Sequence, residues 1–416
     1  MIVREVSVKL LSTGRFLLCL LSLVVTACCV QNLAAQDVAI RNVRIIVGNG
    51  TVVPSGTIIV RGGKIASASV DKVDTRGLKV IDAKGMSALP GYIDAHKHIN
   101  TGPDEKAQMQ SLLEAGYTTV LSGGGPGDGS IALRDHIELG MINGPRIIPS
   151  ERINLSGTPD EARAAVRAMA AKGIAHTGEI GLTPEPGPTA HEIEVLKAVV
   201  DEAAKVGVQV NVHAVSNAAM VAAIDVGVRR LVHLPNKDWT SREAAAKVAS
   251  TNSIVLGLIA FGAPIIDVFE KDNTPRFRDG KVWPEAIAGA NRDAAGKATG
   301  TEAGYTIVNA RTIWDASGGK AIGYCTDQNY ADIAVLEHEL KSYSVMFSMQ
   351  DIIRIMGPNT AEFLHMSDQI GTLEPGKLAD IILLDGNPLD GIQYMLKTKV
   401  VLKGGKVVVD KRKNSK

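Results

Sequence analysis

The chain has 416 residues, of which 45% are hydrophobic and 4% aromatic, and its formal net charge is +1. This length accommodates one large domain with a smaller companion, and the composition is typical of a soluble enzyme. The near-zero net charge and the lack of basic runs before the last few residues exclude a nucleic-acid-binding surface as the main function.

The first 35 residues have the order of a secretory signal peptide: basic residues, an apolar run at 16–27, and small residues up to Ala35. We therefore predict cleavage near Ala35 and an exported protein, either periplasmic or secreted. Two alternatives remain open, a retained anchor and a lipoprotein leader in which a lipidated Cys28 holds the protein at a membrane. Because only Cys325 would remain of the four cysteines after cleavage, we expect no internal disulfide.

Short strands rich in β-branched residues, separated by Gly and Pro turns, follow from residue 37 to about residue 82. A similar strand-rich pattern returns after residue 370 and predicts that the tail rejoins this small β-domain. The predicted organisation is a leader at 1–35, β-domain segments at 36–87 and 370–416, and a larger domain at 88–369.

Within the larger domain, apolar strands alternate with helices, the rhythm of repeated βα units around a parallel sheet. The predicted strands are Ala88–His96, Tyr117–Ser122, Arg146–Ser150, Ile174–Ile180, Val208–Ala214, Val228–Leu234, Ser253–Ala260 and Ala321–Asp327. The predicted helices are Ala107–Ala115, Pro159–Lys172, His191–Val206, Ala218–Asp225, Arg242–Ser250 and Ser348–Met356, the last capped by Ser348. This α/β pattern predicts a (β/α)8 TIM barrel, with residues 261–300 as an insertion near its mouth.

Two histidines one residue apart end the first of these strands, in the run Asp94–His98. Because residues i and i+2 of a strand point to the same face, His96 and His98 aim their imidazoles at a common point. Such a pair suits a divalent metal ion such as Zn²⁺. A short motif of this kind also occurs by chance, so the pair alone does not decide between the two readings.

Polar residues also end several other predicted strands, and in a parallel barrel these ends meet at one face. The same alternation places four further polar side chains on the inner face: Glu179, His213, His233 and Asp327. The same alternation places the side chain of His176 on the outer face. Four histidines and two carboxylates at strand ends indicate one shared site rather than separate roles in the core or on the surface.

Through these residues the chain resembles the metal-dependent amidohydrolase superfamily, in the branch of imidazolonepropionase-like and enamidase-like proteins. The resemblance covers nearly the whole chain after the leader and is most specific at the strand into His96 and His98 and in the run Gly371–Asp385. It implies a (β/α)8 barrel with a small β-sandwich built from both chain ends. It also implies that His96 and His98 bind one metal ion and that His213 and His233 bind a second.

In the same resemblance, Asp327 is both a metal ligand and the proton carrier. Many relatives have a carbamylated lysine that bridges two metal ions at the end of the fourth strand, whereas Glu179 stands at that position here. Because a carboxylate can bridge two cations without modification, the resemblance implies one or two divalent metal ions, with Zn²⁺ expected. Metal-activated hydroxide would attack a carbonyl carbon while Asp327 accepts the water proton and passes it to the leaving nitrogen.

The implied reaction is hydrolysis of an amide, a cyclic amide or a related C–N bond in a small molecule. Other readings remain open: a prolidase-like exported dipeptidase, a lactonase or isomerase, and an inactive metal-binding protein on the same fold. A dipeptidase would need a cation for the free carboxylate of its substrate, such as Arg311 or Lys237. The candidate substrate contacts are Asn211, Lys237, Asn309, Arg311 and Tyr324.

Overall fold

The computed structural model describes residues 37–70, 73–259, 277–278, 281–282, 300–328 and 333–412. The predicted leader, including Cys28, and most of the predicted insertion at 261–300 lie outside the described residues and stay predictions. None of the helices in the described ranges combines the length and apolar character needed to cross a membrane.

The strands in these ranges are β1 Val38–Ile46, β2 Val52–Arg61, β3 Lys64–Ser69, β4 Lys79–Asp82, β5 Ser87–Pro90, β6 Tyr92–Lys97, β7 Tyr117–Ser122, β8 Arg146–Ile148, β9 Ser150–Glu151, β10 His176–Thr177, β11 Ile180–Gly181, β12 Asn211–His213, β13 Arg230–Val232, β14 Ile254–Gly257, β15 Phe277–Arg278, β16 Lys281–Val282, β17 Ile322–Tyr324, β18 Ile381–Leu384, β19 Thr398–Lys403 and β20 Lys406–Asp410.

The α-helices in the same ranges are α1 Glu105–Ala115, α2 Gly127–Glu138, α3 Pro159–Ala171, α4 Ala190–Val206, α5 Asn217–Asp225, α6 Arg242–Ser250, α7 Gly300–Ala316, α8 Ile333–Tyr343, α9 Met349–Arg354, α10 Thr360–Phe363 and α11 Ile392–Met395. A π-helical turn, Ile355–Asn359, joins α9 to α10, and a 3₁₀ turn, Pro388–Asp390, precedes α11.

The first five strands, β1–β5, and the last three, β18–β20, form one mixed eight-stranded sheet. The strand order is β20-β19-β18-β5-β1-β2-β3, with β4 beside β1. The tail strand β18 pairs antiparallel with β5, so that Ile382 lies opposite Leu89. Alternate residues of β18 face two different cores, since Ile381 belongs to the same cluster as Val38 whereas Ile382 joins the largest apolar cluster among the described residues. This sheet therefore packs on both faces. The domain boundaries stay predictions.

The remaining strands from β6 onward, apart from the antiparallel β15–β16 hairpin, form parallel sheets. These sheets have the orders β6-β7-β8, β9-β10 and β11-β12-β13-β14-β17. Helices α1 to α7 lie between successive strands in the chain, which is the βα alternation that the sequence predicts. Because all strands of each sheet run the same way, their carboxyl ends lie along one edge.

Three strands that the sequence predicts as continuous are interrupted. The first divides at Gly91 into β5 and β6, which belong to different sheets, and a side chain at Gly91 would collide with Thr118. The third divides into β8 and β9 at Pro149, which has no backbone N–H for a sheet ladder. The fourth divides into β10 and β11, which leaves Glu179 in the connection between two short strands.

Side-chain hydrogen bonds cap the starts of several helices, including α3, α4, α5, α6 and α9. Ser348 accepts a hydrogen bond from the backbone N–H of Asp351 at the start of α9, which confirms the predicted cap. The regular α-helix ends at Arg354 rather than at Met356. Pro358 has no N–H to donate to the carbonyl of Arg354, and the chain continues as the π-helical turn instead.

Candidate metal centre

The six predicted site residues lie at or just beyond the carboxyl ends of parallel strands. His96 belongs to β6, and His98 follows that strand directly. The other four are placed as follows: Glu179 between β10 and β11, His213 at the end of β12, His233 directly after β13, and Asp327 shortly after β17. Short strands with polar residues at their ends thus bring side chains from distant parts of the sequence to one place.

Glu179 lies at the centre of this group. Its Oε2 atom is 2.9 Å from Nδ1 of His213 and 3.6 Å from the Nε2 atoms of both His96 and His233. Its Oε1 atom is 3.7 Å from Nε2 of His98. One carboxylate therefore lies within reach of all four imidazoles.

Asp327, which follows β17, contacts three of the same histidines. Its Oδ1 atom is 2.7 Å from Nε2 of His98 and 3.2 Å from Nε2 of His96. Its Oδ2 atom is 3.9 Å from Nε2 of His233. The second carboxylate thus lies against the histidine pair of β6, while Glu179 also reaches the other pair.

Three groups of side chains among the described residues could each hold a metal ion. Within each group, the nitrogen and oxygen atoms that could bind the ion lie within 4.8 Å of one another. They are His96 with His233 and Asp327, His96 with His98 and Glu179, and Glu179 with His213 and His233. Imidazole and carboxylate ligands are the donors that Zn²⁺ and similar divalent ions bind. Because Glu179 belongs to two of the groups, the donor set fits either one ion or two ions that share this carboxylate.

Burial and neighbouring charges set the protonation states at this site. Burial lowers the pKa of His96 and favours its neutral form. Burial would raise the pKa of Glu179, but hydrogen bonds from His213 and His233 hold it well below its ordinary value. Burial would also raise the pKa of Asp327, but the charge on His233 holds it well below its ordinary value. Ionised carboxylates and a neutral His96 are the states in which these groups bind a metal ion.

Two of the site residues have backbone angles in the left-handed region. The φ angles are 67° at His233 and 53° at Asp327. Residues other than glycine rarely adopt this backbone conformation, which costs about 1–3 kcal/mol where the surrounding structure enforces it. The backbone N–H of Asp327 donates to the carbonyl of His96 at 2.9 Å, which anchors the turn. Local backbone turns, as well as strand alternation, therefore aim these two side chains.

Two further residues support the site without having been predicted as members of it. A Cβ atom at Gly123 would lie 2.5–2.8 Å from three atoms of the His96 ring, so the absent side chain leaves space for the imidazole. The Arg152 side chain donates from Nη2 to Oε1 of Glu179 at 2.7 Å. The glycine run after β7 was a visible signal for Gly123, whereas nothing local distinguishes Arg152 from other arginines.

Asn211 and Tyr324 are predicted substrate contacts whose side chains are buried and hydrogen-bonded within the protein. Asn211 donates from its amide to the carbonyl of Thr177 at 2.7 Å. Tyr324 is fully buried, and its hydroxyl lies 2.8 Å from the hydroxyl of Tyr117. The thiol of the adjacent Cys325 is also buried, which raises its pKa well above the ordinary value and disfavours a nucleophilic role. These observations favour structural roles.

The other three predicted substrate contacts also have internal partners. Lys237 forms an ion pair with Glu302. Arg311 pairs with Asp315 along α7 and donates to a backbone carbonyl. The buried Asn309 accepts from the N–H of residue 240 and donates to the carbonyls of residues 235 and 238, and so holds the loop after β13. These bonds favour a structural role for Asn309, and the five predicted substrate contacts stay predictions.

A cavity of about 380 Å³ opens beside His98. It is lined by His98, Gly124, Gln108 and the loop at 99–105. A Cβ atom at Gly124 would lie 3.1 Å from Nη2 of Arg152 and 3.4 Å from the His98 ring, so Arg152 borders the same area. The volume is within the range of small-molecule sites.

The model of the Amidohydrolase family matches residues 87–408, which include all six site residues and most of the chain. The chain belongs to the amidohydrolase family. This family is metal-dependent, and the histidine and carboxylate groups of the present amidohydrolase are suited to binding a metal ion.

Known relatives of this amidohydrolase include adenine deaminases. One from Desulforamulus reducens is 22% identical over 381 residues, which are 89% of this chain and 58% of the relative. One from Shigella flexneri is 37% identical over 91 residues, which are 21% of this chain and 15% of the relative. The amidohydrolase thus spans little more than half the length of the first of these relatives and a small part of the second.

Solved structures with the same fold include dipeptidases. A putative prolidase from Bifidobacterium longum has a TM-score of 0.73 and 23% sequence identity, with 91% of this amidohydrolase and 97% of that chain covered. A Xaa-Pro dipeptidase with methionine bound in its active site has a TM-score of 0.73 and 22% identity, with coverages of 90% and 100%. At such identities the likeness establishes an α/β fold in common.

Proposed function

We propose that the protein is an enzyme that hydrolyses an amide, a cyclic amide or a related C–N bond in a small molecule with the help of one or two divalent metal ions. The position of Glu179 carries this proposal, because this carboxylate lies within 3.7 Å of a nitrogen atom of each of four histidines. The proposed ligands are His96, His98, Glu179, His213, His233 and Asp327, and Zn²⁺ is the proposed metal.

The proposal includes a closed (β/α)8 barrel with a β-sandwich built from both chain ends. Parallel strands in chain order with helices between them support the barrel. The hydrogen bond from the N–H of Asp327 to the carbonyl of His96 supports closure. It joins β6, the first of the parallel strands, to the segment that follows β17, the last of them. The solved amidohydrolase-like structures are consistent with it.

A bound divalent ion would acidify a water molecule and polarise a carbonyl group. Asp327 is the proposed proton carrier because it is ionised and its Oδ1 lies 3.2 Å from Nε2 of His96 and 2.7 Å from Nε2 of His98. Its carboxylate accepts the proton from the attacking water and then delivers it to the leaving nitrogen. The cavity beside His98 would hold the part of the substrate next to the scissile bond.

Hydrolytic deamination is a second candidate, and the adenine deaminase that matches 89% of the chain favours it. It breaks a C–N bond with the same water activation but releases ammonia. Dipeptide hydrolysis is the third, because the similar solved structures include a putative prolidase and a Xaa-Pro dipeptidase. Arg152, which is half exposed beside Glu179, is a better candidate than Arg311 or Lys237 for binding a substrate carboxylate.

A substrate panel on the metal-loaded and the chelator-stripped protein tests the proposal. It contains N-acyl amino acids, Xaa-Pro dipeptides, cyclic amides, adenine and lactones, with ammonia release measured separately. We expect turnover of at least one C–N substrate, lost on metal removal and restored by Zn²⁺. Turnover of lactones alone, or none in a protein that holds its metal, contradicts the proposed reaction.

The Asp327→Asn variant tests the proton carrier. We expect it to retain metal but to lose turnover by about 10²–10⁴-fold, because the amide does not accept the water proton. Asp201→Asn is the matched control, since Asp201 pairs with Lys197 on the exposed surface of α4. Wild-type turnover in Asp327→Asn would remove Asp327 from the mechanism.

A further inference from the structure

Three buried polar residues connect strand β6 to the segment after β17, although the two strands belong to different sheets. They are Asp94, Lys97 and Thr326, and each is at most 2% exposed. Asp94 and Lys97 flank His96 in β6, whereas Thr326 directly precedes Asp327. We call these three residues the β6–β17 bridge.

Hydrogen bonds run through the whole bridge. The Asp94 carboxylate accepts from the N–H of Thr326 at 3.2 Å and from its hydroxyl at 2.5 Å. The same carboxylate accepts from the N–H of His96 at 3.2 Å. The Lys97 ammonium donates to the Thr326 hydroxyl at 3.0 Å. One hydroxyl thus acts as acceptor for a cation and as donor to an anion.

We propose that the β6–β17 bridge is a positioning device that sets the separation between the His96–His98 pair and Asp327 before any metal ion binds. Asp94 fixes the backbone of His96 on one side and that of Thr326 on the other, and the Asp327 N–H bonds to the His96 carbonyl beside it. Because the bridge is buried, separating the two segments would remove hydrogen bonds from charged groups that water does not reach. This inference rests on the proposed metal-binding role of His96, His98 and Asp327.

Thr326 offers a clean test because its hydroxyl joins both charged partners. Thr326→Val keeps the shape of the side chain but removes both hydroxyl bonds, whereas Thr326→Ser keeps them. The first readout is Zn²⁺ affinity of the stripped protein by competition with a chelator. We expect Thr326→Val to lose 10–100-fold in affinity, the usual effect of removing a group that orients a metal ligand, and Thr326→Ser to stay close to wild type.

The second readout needs no metal. Hydrogen exchange of the Asp327 amide in the stripped protein reports whether its bond to the His96 carbonyl is still held, and we expect at least about tenfold faster exchange in Thr326→Val. A lowered melting temperature with wild-type Zn²⁺ affinity and wild-type exchange at Asp327 would overturn the proposal, because the bridge would then only stabilise the fold.

Lys97→Met provides a second variant, since it keeps the aliphatic length and removes the cation. If Thr326→Val does not fold, wild-type affinity and exchange in Lys97→Met overturn the proposal in its place. Failure of the proposed hydrolase function would give a different result. If no substrate of the panel is turned over, but Thr326→Val binds Zn²⁺ more weakly and exchanges the Asp327 amide faster, the proposed reaction is contradicted while the positioning role stands.

Discussion

Gly123 provides the sharpest test of how tightly the site is packed. An alanine Cβ at this position would lie 2.5 Å from the nearest atom of the His96 ring, whereas ordinary contacts begin at 3.4 Å. The imidazole would have to move by about 0.9 Å, the difference between these two distances. The φ angle of Gly123 is outside the left-handed region, so alanine itself suits the backbone.

A shift of this size affects function more than folding. Misplacing a catalytic group by about 1 Å can cost on the order of 10²-fold in rate, and we expect Gly123→Ala to lose about 10–100-fold in Zn²⁺ affinity. Overpacking typically costs about 1–3 kcal/mol of unfolding free energy, which a domain of this size can tolerate. Chelator competition and urea unfolding of the metal-free protein measure the two effects separately.

Gly181→Ala is the matched control. Gly181 lies opposite His213 in the β11–β12 pair, and a Cβ atom there would meet nothing within 4 Å. We expect wild-type affinity and stability in this variant. A folded Gly123→Ala protein that binds Zn²⁺ as tightly as the Gly181→Ala control would refute the role of His96 as a closely packed metal ligand.

Three other predictions test single contacts. Arg152→Gln should lower Zn²⁺ affinity about tenfold because Glu179 loses an orienting partner, with stability changed by less than about 1 kcal/mol; unchanged affinity contradicts this. Burial lowers the pKa of His176 to about 4. The free energy of unfolding should therefore fall by about 3 kcal/mol at most as the pH drops from 6.5 towards 4. His176→Gln should reduce this pH dependence of the melting temperature. Asn309→Ala should lower the free energy of unfolding in urea by about 1–3 kcal/mol and leave KM unchanged. A raised KM at wild-type stability would instead support its predicted substrate role.

The sequence alone was sufficient to single out the residues that the structure brings together. His96 and His98 follow from a two-residue period at a strand end, and His213 follows from the same period in the strand predicted at Val208–Ala214. Such periodicity is a local property of the chain, so it can be read without knowing the fold. The cap at Ser348 is equally local, because it needs only residues within one helical turn.

Tertiary structure decided what surrounds those residues. Arg152 and Glu179 are 27 positions apart, and the space that Gly123 leaves for His96 depends on how two neighbouring strands pack. The left-handed turns at His233 and Asp327 also depend on long-range partners, such as the carbonyl that anchors Asp327. Periodicity assigns side chains to a face, but the distances between atoms from different strands follow only from packing of the whole chain.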